Sequence, residues 1–310
     1  MKVLLFTHKQ DIDGMGCAIL AKEAFSDLEI VPCKTFEITD RVREYVDNKT
    51  IYNFDSIYVT DLCIKEPLLG IIDKDLVLRR KIQVIDHHKS EIDEGNDKYD
   101  FVDVIVSIDG RKESGTSLFY KFLTSNGYLE ETECLDTLVE WTRQYDVWDW
   151  EKENNNDARR LHILFEVLGY EKYLEIAEKF IRKGKVEFDD EELEVINEFE
   201  KQLKKDIEKI ISELKPVTLN IDEEEYKIGY VRCPYKYRND INRFVGMDNV
   251  HDVDTVGMIM SDIDTVSYRN VKDIDASVIA VYFGGKGHRN AASNPQDNDK
   301  FKELVKRYSL

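Results

Sequence analysis

Three short apolar runs in the N-terminal part of the chain each stop at ionisable side chains, and this pattern constrains the fold more than any other feature. Lys2–Phe6 leads into His8-Lys9-Gln10-Asp11-Ile12-Asp13-Gly14, Ser56–Val59 into Asp61, and Lys81–Ile85 into Asp86-His87-His88. The runs are too short for helices and read as buried strands, with Leu28–Pro32 a weaker fourth. Between them, Met15–Ala24 and Lys65–Asp73 carry helical spacing. Strands alternating with helices predict βαβ units and a parallel sheet. Ligands in such sheets bind beyond the carboxyl ends of the strands, so the polar clusters are expected at one edge.

Further helices are expected over Gly115–Asn126, Glu131–Tyr145 and Ala158–Arg182. Glu191–Leu214 is one long charged pattern with Leu193, Ile196, Phe199, Leu203, Ile207 and Ile211 on a single stripe, the mark of a helix packed along one face. Lys215-Pro216 ends it. Val217–Ile221, Tyr226–Val231, Thr255–Met260 and Thr265–Arg269 then read as strands. The expected class is α/β. A parallel-sheet domain with helices on both faces covers residues 1–190, a connecting helix 191–215, and a smaller mixed α/β domain 216–310.

Charge narrows the function. The net charge is −19, and residues 216–310 hold 13 Lys and Arg against 15 Asp and Glu, which leaves −17 on residues 1–215. A protein that grips long nucleic acid carries a basic surface; this chain does not. An anionic substrate is therefore expected to be small and held by metal ions with a few local cations. No run of 18 apolar residues exists, so no spanning helix and no membrane partner is expected. The apolar stretch Val3–Phe6 is too short for a signal peptide. Cys17, Cys33, Cys63, Cys134 and Cys233 are odd in number and lack CxxC spacing, which predicts reduced thiols and a cytoplasmic setting.

Several Asp side chains at one sheet edge repel unless cations hold them. Carboxylates mixed with imidazole suit Mn²⁺, Mg²⁺ or Fe²⁺ better than structural zinc. Two such ions can share a carboxylate, activate a water and neutralise a phosphate. A lone Asp after a strand is often only a helix cap. Here, however, four of six histidines (His8, His87, His88, His288) fall in polar clusters and the Asp groups recur at strand ends. The joint pattern favours a site.

The motifs are similar to those of a known family. VIDHHKS, with Asp86-His87-His88, resembles the signature of the DHH phosphoesterases. His8, Asp11, Asp13 and Gly14 resemble their first motif, Asp61 in VTDLC the second, and Asp146 in Arg143-Gln144-Tyr145-Asp146 the fourth metal-binding carboxylate. Gly284-Gly285-Lys286-Gly287-His288-Arg289-Asn290-Ala291-Ala292-Ser293 resembles the glycine-rich motif of the associated DHHA1 substrate domain. The resemblance runs from Val3 to Ser293, and the bacterial nano-RNases are the branch it resembles most.

The resemblance implies two Mn²⁺ per chain, with Mg²⁺ or Fe²⁺ as alternatives. His8 and Asp11 would hold one ion, Asp13, His87 and Asp146 the other, and Asp61 both. Asp86 would orient His87, leaving His88 to contact the phosphate or protonate the leaving oxygen. Arg269 would grip a terminal phosphate, with Gly285, Lys286, Gly287, His288, Arg289 and Asn290 as a cradle. Glu113-Ser114-Gly115-Thr116-Ser117 opens a helix, its hydroxyls either near the site or, at Ser114, a plain N-cap. The implied activity is an exonuclease that degrades short oligonucleotides to mononucleotides and takes no long duplex; a homodimer is left open. Rival readings are a phosphodiesterase of cyclic or linear signalling dinucleotides, a bisphosphonucleotide phosphatase, and a non-catalytic nucleotide sensor. Two positions depart from the family pattern: two residues, Lys9 and Gln10, separate His8 from Asp11, and Lys286 stands where Gly is usual.

Overall fold

The computed structural model describes residues 1–248 and 252–310. They form two compact units, Met1–Asn197 and Glu198–Leu310.

In the first unit β1 (Lys2–His8), β2 (Asp27–Cys33), β3 (Ser56–Thr60), β4 (Ile82–Asp86) and β5 (Val102–Val104) make one parallel sheet. Its order is β2-β1-β3-β4-β5, so the three strands that end in ionisable clusters are neighbours at the centre. A hairpin, β6 (Ser107–Ile108) and β7 (Arg111–Lys112), follows. The helices are α1 (Ile12–Ala24), α2 (Ile38–Asp47), α3 (Leu68–Lys74), α4 (Leu76–Arg79) and α5 (Lys89–Asp93), then α6 (Gly115–Ser125), α7 (Glu133–Asp146) and α8 (Asn156–Lys183); α9 (Asp190–Ser212) starts in this unit, and most of it belongs to the second.

Both faces of the sheet are covered, as expected for parallel strands that read as continuous apolar runs. Leu4, Phe6, Ile57, Val59, Ile82 and Val84 point one way, into a core with Ile38 and Val42 of α2 and Leu68, Leu69 and Ile72 of α3. Val3, Leu5, Tyr58 and Ile85 point the other way, against Cys17 and Leu20 of α1, Phe119 of α6 and Leu135 of α7. Each buried Leu, Ile or Phe contributes roughly 1.5–3 kcal/mol. The sheet is thereby held rigid where it presents its carboxyl edge. The helical region expected around Ala158–Arg182 is α8, with a kink at Gly169, whose φ of 77° is left-handed.

The second unit is a mixed six-stranded sheet, β8 (Lys215–Ile221), β9 (Glu224–Cys233), β10 (Thr255–Met260), β11 (Thr265–Asn270), β12 (Lys286–His288) and β13 (Ala291–Pro295), in the order β12-β13-β11-β10-β9-β8. Only β9 and β10 pair in parallel. Helices α10 (Arg238–Asp248), α11 (Ala276–Tyr282) and α12 (Asp299–Tyr308) accompany it. Tyr230, Ile259, Tyr268, Ile279, Phe283 and Phe301 build the core on one side. Leu203 and Ile207 of α9 join Val231, Met258 and Met260 on the other. Pro216 does more than stop a helix: it lies within β8, an edge strand, where a missing N–H is tolerated. Among the described residues no helix is long and apolar enough to cross a membrane, and all five cysteines are free and buried.

Candidate active site

The carboxyl edge of the central strands collects the ionisable residues. His8 ends β1, Asp61 follows β3, and Asp86 ends β4. Asp11 caps α1, accepting from Gly14 N at 3.1 Å; Asp13 sits in the first turn of that helix and Asp146 is the last residue of α7. The two-residue spacer after His8 does not keep it away, since His8 Nδ1 lies 2.7 Å from Asp11 Oδ2 and 3.5 Å from Asp61 Oδ2. On the other side, His87 Nε2 lies 3.3 Å from Asp61 Oδ1 and 3.6 Å from both Asp13 Oδ2 and Asp146 Oδ2. Three overlapping sets result, His8 with Asp11 and Asp61, Asp13 with His87 and Asp146, and Asp61 with Asp86, His87 and His88; within each the donor atoms lie no more than 4.8 Å apart. Asp61 turns Oδ2 to His8 and Oδ1 to His87, between the first two sets.

Left to itself this arrangement is electrostatically unfavourable. Burial, then the charges of Asp13 and Asp11, push the Asp61 carboxyl well above the ordinary range. Burial and Asp13 do the same to Asp146. Burial opposes a charge on His8, but Asp11 and Asp61 outweigh it and raise the imidazole to about 10. Asp61 Oδ2, His87 Nε2 and Asp146 Oδ2 are buried without a hydrogen bond, although each faces a charged neighbour. An unsatisfied buried polar atom costs about 1–3 kcal/mol. Cations would satisfy all three atoms and relieve the repulsion. The donors are carboxylate oxygens and imidazole nitrogens with no thiolate, which fits Mn²⁺, Mg²⁺ or Fe²⁺.

Asp13 is held from behind by the start of α6. Gly115 N donates to Asp13 Oδ2 at 2.6 Å, Thr116 N to Oδ1 at 2.9 Å, and Thr116 Oγ1 to the Asp13 carbonyl at 2.5 Å. Ser114 is the N-cap, in a capping box with Ser117. The two expectations for this segment thus divide: Ser114 caps, while backbone amides rather than a row of hydroxyls meet the carboxylate. Gly115 has no room for more, because a Cβ there would lie 2.6 Å from Asp61 Cβ. Arg143 plays a similar part for the turn after Asp146. Wholly buried, it donates to Asp149 Oδ2 at 3.0 Å, to the Lys112 carbonyl at 3.1 Å and to Glu140. The N-cap at Ser114 was readable in the sequence, but the contact of Gly115 with Asp13, 102 residues away, was not.

One expected role changes. Asp86 does not orient the His87 ring. Its Oδ1 accepts from His87 N at 2.8 Å and lies 2.7 Å from Nδ1 of His88. The carboxylate folds back over its own chain and reaches the ring two residues on, while His87 turns towards Asp13, Asp61 and Asp146. Burial works against ionised Asp86, yet the His88 hydrogen bond holds it below the usual range. The same bond raises His88, whose side chain is 51% exposed.

In the second unit, Arg269, Lys286, Gly287 and His288 line one cavity of about 680 Å³, together with Tyr235 and Arg238. Arg269 lies on β11 opposite Ala291 of β13, and β12, on the far side of β13, forms the sheet edge. Lys286 is not in a left-handed conformation, so its side chain carries no backbone strain. Gly287 does need to be glycine, because a Cβ would lie 2.3 Å from Ala292 Cα. Gly285, Arg289 and Asn290, expected in the cradle, do not line the cavity. Arg289 is drawn to Asp273 at 2.8 Å, and Asn290 accepts from Asn270 Nδ2 at 3.4 Å, because both belong to the turn that joins β12 to β13. Tyr235 and Arg238 belong to no sequence motif, and only the fold brings them to this cavity.

Residues 2–140 match the model of the DHH family, N-terminal domain. Oligoribonuclease NrnB of Bacillus subtilis (strain 168) is 31% identical over 293 residues, which covers 93% of this chain and 71% of that protein. The chain belongs to the DHH family. Like other DHH proteins it is a metal-dependent phosphoesterase. The fold agrees with solved DHH structures. The manganese-bound exonuclease RecJ superposes with a TM-score of 0.57 at 14% identity, over 99% of this chain and 89% of that one. A pGpG-specific phosphodiesterase, PggH from Vibrio cholerae, gives 0.53 at 13% identity over 100% and 99%.

Proposed function

We propose that this DHH protein is a two-metal exonuclease that hydrolyses oligonucleotides a few residues long to mononucleotides. The observation that carries the reading is Asp61, buried between two donor sets with one oxygen towards each. His8, Asp11 and Asp61 would hold one ion, and Asp61, Asp13, His87 and Asp146 the other. Bound Mn²⁺, Mg²⁺ or Fe²⁺ supplies an activated water and neutralises the phosphate. The chain's own groups do the rest. Gly115 and Thr116 fix Asp13. Asp86 holds His88 at Nδ1 and favours its protonated form, so the exposed imidazole can give a proton to the leaving oxygen. Arg269, Lys286 and His288 bind the substrate's far phosphate in the second unit.

The charge map supports a short substrate, since the −17 carried by residues 1–215 repels a long strand rather than guiding it. The relative NrnB is named an oligoribonuclease, and a substrate of that class is proposed for this chain too. The test is turnover with Mn²⁺ of end-labelled RNAs from two to twenty-four nucleotides, beside cyclic dinucleotides and a bisphosphonucleotide. Substrates of two to five nucleotides should be cleaved fastest. Equal or faster cleavage of the longest strands overturns the reading, as does turnover confined to cyclic dinucleotides or to the bisphosphonucleotide.

A further inference from the structure

The cavity of the second unit contains more than a phosphate needs. Arg269 and Arg238 both line it. Arg269 donates to Ser267 Oγ at 2.8 Å and to the Tyr268 carbonyl at 2.9 Å. Among the described residues neither guanidinium is paired with a carboxylate. Two arginines in one cavity repel each other until an anion sits there, and burial together with Arg238 lowers the Arg269 pKa.

Beside these cations stands an aromatic ring with a defined orientation. Tyr235 follows Pro234 and opens a short 3₁₀ turn, Tyr235–Tyr237. Its backbone N donates to both oxygens of Asp262, at 2.9 and 3.2 Å. The Arg238 guanidinium lies over the ring, 3.9 Å from its centroid. One face of the ring is thus backed and the backbone pinned, yet Tyr235 remains 42% exposed, as does Ile263, another wall residue. No other aromatic ring among the described residues packs on Tyr235. A tyrosine whose only role was core packing would be covered; this one stays exposed on the wall of a cationic cavity.

We propose that Tyr235, backed by Arg238, is a stacking platform for a nucleobase, so that this cavity accepts a whole terminal nucleotide rather than a phosphate alone. The inference rests on the reading that the chain acts on short oligonucleotides, and it names the specificity-determining residue for the end of the substrate that is not cleaved. Every base has a π face, so the platform selects for the presence of a base and favours the larger purines over pyrimidines. Stacking is worth about 1–3 kcal/mol per base, which is about a fivefold to 150-fold difference in affinity.

The experiment is calorimetric binding to the full chain with Mn²⁺ present, using GMP, CMP and ribose 5-phosphate as probes, with Tyr235→Ala, Tyr235→Phe and Arg269→Ala. The native chain should bind GMP at least about fivefold more tightly than ribose 5-phosphate, with CMP between. Tyr235→Ala should bring GMP down to the level of ribose 5-phosphate and leave ribose 5-phosphate itself in place. Tyr235→Phe should keep the preference, and Arg269→Ala should weaken all three probes together. The platform is overturned if the native chain binds GMP and ribose 5-phosphate alike, or if Tyr235→Ala keeps the difference. It is equally overturned if Tyr235→Ala loses ribose 5-phosphate along with GMP, which would make the ring part of the cavity's framework. The two readings fail separately. A chain with the base preference that leaves short RNA uncut keeps the platform and loses the exonuclease, and short-RNA cleavage without a base preference does the reverse.

Discussion

Gly115 donates its backbone amide to Asp13 Oδ2 at 2.6 Å, across 102 residues of chain. The contact joins the start of α6 to a carboxylate on α1 and fixes which way Asp13 faces. A methyl group at position 115 would meet Asp61 Cβ at 2.6 Å and Asp13 Oδ2 at 3.0 Å. Gly115→Ala should therefore move two carboxylates at once. We expect metal affinity to fall roughly 10–100-fold, as when an outer partner of a ligand is lost, with activity falling alongside. Mn²⁺ titration measures this, and unchanged affinity would show that the contact is only structural.

Asp61→Asn tests the shared carboxylate. Asp61 has φ of 56°, a left-handed conformation that Asn tolerates better than Ala, so the substitution removes charge without adding strain. Turnover should drop by about a thousandfold or more, the equivalent of several kcal/mol of transition-state stabilisation. The metal-free variant should melt higher than the metal-free native chain, because a buried charge beside Asp11 and Asp13 is gone. Near-native turnover with two ions bound would refute the assignment.

Removing metal should make stability strongly dependent on pH. Without ions, Asp61 and Asp146 titrate in the fold well above their ordinary value of 3.8, and His8 at about 10 against 6.5. In all three the folded value is the raised one. The fold therefore holds more protons than the unfolded chain, and the stability they contribute at low pH is lost as pH rises. Between pH 5 and 9 the melting temperature of the EDTA-treated protein should fall steadily. The Mn²⁺-loaded protein should fall less, because ions take the place of protons. Differential scanning calorimetry across that window decides; a metal-free curve that is flat or rising contradicts the electrostatic account.

Arg269→Ala should separate binding from metal chemistry. On a dinucleotide, kcat/KM should drop by roughly 2–4 kcal/mol, the scale of a partly desolvated Arg–phosphate pair. On bis(p-nitrophenyl) phosphate, which lacks a second phosphate, the variant should match the native chain, with Mn²⁺ content unchanged. Equal losses on both substrates, or none on either, would take Arg269 out of the substrate cavity.

The parts of the site that the apolar pattern alone makes legible are those that follow strands, whereas Asp146, at the end of a helix, is legible only through the family motif. His8, Asp61 and Asp86 sit at strand ends because an apolar run of four or five residues can only deliver its next polar residue to the sheet edge. The order β2-β1-β3-β4-β5, which makes those three ends neighbours, is a tertiary fact with no local signal. Asp86 illustrates the limit. Its type and position were legible, but its partner depended on which way two consecutive imidazoles turned. Arg289 shows the same on the other unit, where Asp273, sixteen residues upstream, claims a cation that the motif alone would have assigned to substrate. Tyr235 and Arg238 left no signal, since an aromatic residue and an arginine three positions apart occur in many turns, and only the fold sets them beside Arg269.

The central position of the ligand-bearing strands also says where this enzyme can be rebuilt. Strand β5 lies at the margin of the sheet and carries none of the clustered residues, and the hairpin after it turns through Asp109 and Gly110, both exposed and both at positive φ. A reporter domain inserted at that turn would interrupt neither β1, β3 nor β4. The chain thus offers an insertion point at which the catalytic edge stays one continuous block of sheet.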